Sequence, residues 1–224
     1  MSPSTTTTPR PEDRLRQVFV PTVIEEGNRG DRAFHIYSQL LRERIVFLGQ
    51  EVDDQVANLI ISQMLFLEAQ NNERDIFLYI NSPGGVAYAG MAIYDVMQHV
   101  EPDVSTICCG MGMSAAAMIL AGGAAGKRFA LPNARIMIHQ GSAGTRGAPS
   151  DMEIQLREVL ALTHRMSEII AHHTGRPVDQ VAQDIDRDHY MTSAEARDYG
   201  IIDDIILPRR GVAAPERDLQ VASA

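Results

Sequence analysis

Residues 104–123 read VSTICCGMGMSAAAMILAGG, and the fold and chemistry of the chain turn on how this stretch is parsed. Val104, Thr106, Ile107 and Cys108 are apolar or β-branched, as a short buried strand requires. Gly110 and Gly112 then suggest a tight turn, and Ser114 opens an Ala-rich run of high helix propensity. Strand, turn and helix in that order set a serine hydroxyl at a helix N-terminus. Free N–H groups and the positive end of the helix dipole can steady a developing oxyanion there. Gly112-Met113-Ser114-Ala115-Ala116 spells a nucleophile elbow with its last glycine replaced by alanine. The competing reading is an ordinary N-cap serine.

The 224 residues suffice for one α/β domain that buries most of its apolar surface. No apolar run reaches the roughly 18 residues of a membrane span. The opening MSPSTTTTPRPEDR lacks the hydrophobic stretch of a signal peptide, so a cytoplasmic location is expected. Cys108 and Cys109 are strand neighbours whose side chains face opposite ways, so they are expected as two small buried hydrophobes and not as a disulfide. With 29 acidic against 20 basic residues the net charge is −9, and no basic block stands out. Nucleic acid is therefore not an expected partner.

Outward from the central stretch, repeated strand–helix units appear. Residues 1–16 are a Ser/Thr/Pro-rich tail expected to be disordered or removed, and 209–224 form a second polar tail. Residues 17–32 read as an irregular arm or hairpin with a turn at Gly27–Gly30. The strand Ile45–Gly49 precedes a helix capped by Asp53 or Asp54, with Val56, Leu59, Ile60, Met64 and Leu67 inward. The strand Asp75–Ile80 leads through Asn81-Ser82-Pro83-Gly84-Gly85 into a helix from Val86 towards Val100. With the Ser114 unit these make three in a row, which predicts a mostly parallel sheet with right-handed crossovers. Gly84-Gly85 and Ser114 both lie at carboxyl ends of strands, where such sheets gather their sites.

Two further strands are expected at Lys127–Leu131 and Arg135–Ile138, the second running into His139. Ser150 with Glu153 spells a capping box for a helix to about His173, stopped by Gly175 and about 35 Å long at ~1.5 Å per residue. Its apolar positions (Met152, Leu156, Val159, Met166, Ile169) call for cover from another subunit. Pro177 opens a shorter helix, Thr192 with Glu195 spells a second capping box, and Ile205–Leu207 reads as the last strand.

A serine nucleophile needs a base and the base an orienting acid. Of seven histidines, His35, His99, His164, His172 and His173 read as solvated or helix-end groups, and His189 lies in a polar loop. His139 ends a buried strand at the same sheet edge as Ser114, which makes it the best base. For the acid, Asp184, Asp186 and Asp188 share one loop, and spacing does not choose among them. No Gly-Lys-Ser/Thr follows Gly84-Gly85, against a nucleotide loop. No histidine pair or Cys–His set has metal-ligand spacing, so no metal is expected.

INSPGG (Ile80–Gly85), AGMAIYD (Ala89–Asp95), GKRFALPNARIMIHQ (Gly126–Gln140), DRD (Asp186–Asp188) and TSAEARDYGIID (Thr192–Asp203) together resemble the proteolytic subunit of the ATP-dependent Clp protease. The likeness covers roughly Phe19 to Pro208. It implies an α/β fold of the crotonase-like type, a single domain over 17–208 with an axial arm at 17–32 and a projecting strand and long-helix handle at 139–175. It further implies Ser114 as nucleophile, His139 as general base and Asp188 as orienting acid, with the Gly85 and Ala115 N–H groups as oxyanion hole. Arg187 resembles the ring-contact arginine that couples assembly to an aligned triad. The family's subunits form two stacked heptameric rings around a chamber, fed with unfolded polypeptide by a hexameric AAA+ unfoldase that hydrolyses the ATP; the proteolytic chain needs no cofactor.

Two departures stand out. Met113-Ser114-Ala115-Ala116 replaces the frequent Ala-Ser-Met-Gly, and Gly141 replaces the usual proline after His-Gln. Ser-Ala-Ala-Ala resembles the second of the paired subunits found in actinobacteria, so a ring subunit dormant without a paralogous partner is the alternative expectation. A crotonase-type enzyme acting on acyl thioesters shares the architecture, but the serine, histidine and aspartate at matching positions speak against it.

Overall fold

The computed structural model describes residues 22–25, 32–141, 144 and 146–208. The chain divides into two compact units, Met1–Glu43 and Arg44–Ala224. In the first, β1 (Thr22–Glu25) pairs antiparallel with β2 (Arg32–His35), followed by α1 (Ile36–Arg42). The turn expected at 27–30 and the two tails lie outside the described residues.

The second unit is built on a seven-stranded sheet. β3 (Ile45–Leu48), β4 (Ile76–Ser82), β5 (Val104–Met113), β6 (Arg128–Ala130) and β9 (Asp204–Ile205) run parallel in that order. β7 (Arg135–Ile138) pairs parallel with the far half of β5 and antiparallel with β8 (His189–Thr192). The connections between β3, β4 and β5 are α2 (Asp54–Gln70) and α3 (Ala87–His99), the strand–helix repetition expected of the sequence. Asp53 caps α2 by accepting the Val56 N–H at 2.8 Å. The core sits where α2, α3 and α4 (Ala115–Ala121) pack on the sheet, with Leu48, Ile60, Leu78, Ile80, Ile93 and Met118 fully buried. Ala57 takes the inward place expected for Leu59, which is exposed.

The central stretch departs most from its expected form. Gly110 and Gly112 do not make a turn; β5 runs through both to Met113. Ile80 pairs with Cys108 and Ser82 with Gly112, so two steps of β4 face four of β5. That irregularity is a bulge, filled by the Asn81 side chain, whose Oδ1 accepts the Met111 N–H at 3.2 Å. Beyond it β5 leaves β6 and takes β7 as its neighbour, which carries its end sideways to meet the strand that leads to His139.

The long helix is α5 (Pro149–Thr174), about 39 Å at ~1.5 Å per residue. The capping box expected at Ser150 does not form. Pro149 occupies the first turn, where its missing N–H costs nothing, and Ala148 caps without a side-chain bond. Gly175, left-handed at φ 72°, ends the helix as expected. Only residues from Met166 onward are buried; Ile154, Leu156 and Leu160 are 65%, 53% and 60% exposed. α6 (Val178–Asp184) and α7 (Ser193–Tyr199) follow, the latter opened by the Thr192–Glu195 box. The last strand is Asp204–Ile205, one residue earlier than expected, because Asp203 is held by Arg128 and Ile206 and Leu207 turn out to solvent. Among the described residues, no helix is long and apolar enough to cross a membrane.

Candidate active site

Ser114 sits at φ 56° and ψ −125°, a conformation a non-glycine residue holds only under constraint, at a cost of about 1–3 kcal/mol. The constraint is visible. Its N–H donates to Met137 O at 2.8 Å, and its carbonyl accepts from Ala117 at 2.9 Å to start α4, all seven residues of which are buried. Ser114 makes no side-chain cap bond, so the N-cap reading fails and the hydroxyl is left for another partner. Gly84 lies against the elbow: a Cβ there would come within 2.5 Å of Met113 O and 2.8 Å of Ser114 Cβ. With φ at 87°, the position suits glycine on both counts.

The hydroxyl's partner is His139. Its Nε2 stands 2.8 Å from Ser114 Oγ, and its Nδ1 3.0 Å from Asp188 Oδ1. The sheet explains the second distance. Arg135 faces Thr192 and Ile138 faces His189 across the antiparallel pair, so one further step along the same register sets His139 opposite Asp188. The loop is pinned there by Gln140, whose N–H donates to Ile185 O at 2.7 Å and whose Nε2 donates to Asp186 O at 2.9 Å. The other two acids are engaged elsewhere, and Asp184 is not in the expected loop but is the last residue of α6. Asp184 accepts from Tyr199 Oη at 2.7 Å, and Asp186 faces the Gln140 amide. Geometry thus selects among three aspartates that spacing left equal.

Two N–H groups flank the serine. Val52 bonds the carbonyl of Gly84 and accepts the N–H of Val86, each at 2.8 Å, so the intervening Gly85 N–H faces the other way. The Ala115 N–H is in the first turn of α4. Among the described residues neither of these two groups has a hydrogen-bond partner. Gly85 and Ala115 line, with Ser114 and His139, a cleft of about 430 Å³. Its opposite wall is Val159, Leu162 and Met166 of α5. Arg187 stands beside the cleft's acid with a side chain 95% exposed, its nearest carboxylate Asp186 at 3.9 Å.

The structure brings together the serine, the histidine and the last of the three aspartates, and leaves the other described histidine side chains apart from them. His164 pairs with Glu168, and His189 sets its ring edge to face with Tyr199. His173 hydrogen-bonds Tyr94 Oη at 2.9 Å, and burial pulls its pKa down to about 4. A model of the Clp protease family matches residues 28–209. The chain belongs to the Clp protease family. Membership makes it a Clp-type peptidase, and the mixed α/β fold with its mostly parallel sheet is the one expected on that ground.

Sequence reasoning missed some residues of this family member's cleft. Tyr88, exposed at the start of α3, lines it and donates its hydroxyl to Glu158 of α5. That bond, with burial a lesser cause, raises the Tyr88 pKa. Helical spacing on α5 marks Leu162 as apolar but carries no sign that it faces a serine 48 positions earlier. The strand β8, which aligns the aspartate, also escaped notice because its four residues follow an acidic loop and include only one buried side chain.

Proposed function

We propose that the chain is a serine endopeptidase that cuts unfolded polypeptides into short peptides. The carrying observation is the unbroken line Asp188 Oδ1, His139 Nδ1 and Nε2, Ser114 Oγ, with links of 3.0 and 2.8 Å. With Nδ1 protonated and donating to the carboxylate, Nε2 is left to accept the serine proton. Ser114 then attacks the amide carbonyl as His139 takes that proton. The tetrahedral oxygen moves into reach of the Gly85 and Ala115 N–H groups, which carry no competing bond among the described residues and need no reorganisation. His139 returns the proton to the leaving amine, and water repeats the sequence on the acyl-enzyme. Asp188 holds the imidazole in the productive tautomer and stabilises its charged form.

The active form in this reading is a pair of stacked heptameric rings in the cytoplasm, coupled to a hexameric AAA+ unfoldase that spends the ATP. The chain itself uses no cofactor. Family membership and the uncovered apolar half of α5 support that assembly. Arg187, 95% exposed at its side chain, held only by the distant Asp186 carboxylate among the described residues and next to Asp188 in sequence, is suited to tie a neighbouring subunit to the triad. The test is a Ser114→Ala chain measured beside the unaltered one for native mass, peptide turnover and labelling by a fluorophosphonate. Turnover and labelling should vanish while mass is retained. Turnover at the unaltered rate would sink the assignment.

A further inference from the structure

The cleft beside Ser114 has a deep part and a mouth. In the deep part, Ala87 packs against the cluster of Tyr94, Met118, Met166 and Ile169, so that wall is fixed by core packing. The next residue, Tyr88, lines the same cleft but is 55% exposed. Its phenol hydroxyl donates to the carboxylate of Glu158, one position before Val159 on the facing wall. The two walls belong to α3 and α5, 70 residues apart in sequence, and this hydrogen bond ties them directly together. The lining is mostly apolar, with Val86, Met137, Val159, Leu162 and Met166, and Glu51, Gln140 and Thr163 add polar groups to it.

We propose that the Tyr88–Glu158 bridge is a specificity bar, setting which substrate side chain can lie in the apolar cleft beside Ser114. The inference rests on the peptidase reading and deepens it. A side chain entering between α3 and α5 must fit beneath or beside a ring held across the opening. Leucine and methionine are short or slender enough to do so. Phenylalanine and tryptophan must displace the ring and break its bond to Glu158, so they are disfavoured. Because both partners are solvent-exposed, the bond adds little to folding stability. Its effect falls on the bound transition state, where a modest steric difference separates substrates by one or two orders of magnitude.

The experiment uses the assembled chain and peptides that differ only in the residue before the scissile bond: Leu, Met, Phe or Trp. The readout is the ratio of kcat/KM for Leu over Phe in the unaltered chain, Tyr88→Phe, Glu158→Ala, their double variant and Tyr88→Ala. The unaltered chain should favour Leu. Tyr88→Phe and Glu158→Ala should each lower the ratio, and the double variant should lower it no further, since both remove one bond. Tyr88→Ala, which removes the ring as well, should lower it most, by about tenfold. A change in folding alone moves both peptides together and leaves the ratio standing. An unaltered ratio in Tyr88→Phe and Tyr88→Ala overturns the bar while leaving the peptidase intact. An unaltered chain that neither cleaves any peptide nor reacts with a fluorophosphonate overturns the peptidase reading, and the bar with it.

Discussion

Asp188 is more than half exposed at its side chain, yet it carries the heaviest expectation of any single residue. Among the described residues its carboxylate hydrogen-bonds His139 alone. Asp188→Asn should therefore fold and assemble as before while presenting the wrong group to Nδ1. Turnover should fall by about 10⁴, the scale seen when a triad imidazole is held in the wrong tautomer. Asp184→Asn is the matched control, because that carboxylate faces Tyr199 and Gln180. It should turn peptide over at close to the original rate, and equal losses in the two variants would remove Asp188 from the mechanism. Spacing alone could not have separated these two acids. What separates them is the register of a strand pair that sets His139 opposite a residue 49 positions later, and sequence carries register only through partners it does not name. Ser114 and His139 were legible for a different reason: each sits where an apolar strand ends, a local pattern.

At the scale of elements, the three strand–helix units could be read because their signals are local. Asp53 caps, Ile60 and Met64 repeat at helical spacing, and Gly175 stops α5. The extension of β5 could not, since glycines two apart look like a turn and only the Asn81 side chain turns them into a bulge. The end of α5 offers a test of how firmly these elements are joined. His173 is half-buried there, bonded to Tyr94 of α3, while its carbonyl accepts from Arg128 at 2.9 Å. Burial, the neighbouring His172 and Arg128 together lower its pKa from 6.5 to about 4. The unfolded chain therefore binds a proton between pH 6.5 and 4 that the folded chain refuses. Stability contributed by the neutral ring is fully present above pH 6.5 and declines as the pH falls towards 4. Thermal unfolding followed across that window should show a falling midpoint, and His173→Gln should flatten this part of the profile. A variant that keeps the full slope would place the titrating group elsewhere.

For the whole molecule, the decisive fact is what α5 leaves uncovered. Its last turns are anchored by Met166, Ile169 and Ile170, but Ile154, Leu156 and Leu160 are each more than half exposed. These three residues fall within two turns of the helix, and with Met152, 38% exposed, they load one half of a long helix with apolar side chains that the chain's own core does not use. Fully burying a leucine or isoleucine is worth about 1.5–3 kcal/mol, so the driving force for covering this half helix by another subunit is substantial. A glutamate at the same place forfeits that gain and adds the cost of desolvating a charge. Leu156→Glu and Leu160→Glu, made together, should leave the circular dichroism of the chain intact, because neither residue packs in its core. Native mass should drop from the assembled form to a small species. Peptide turnover should fall with it, since Arg187 and the exposed Asp188 would then lack the neighbour proposed to steady them. A doubly substituted chain that keeps both its mass and its rate would show that this face is not what joins one copy to the next.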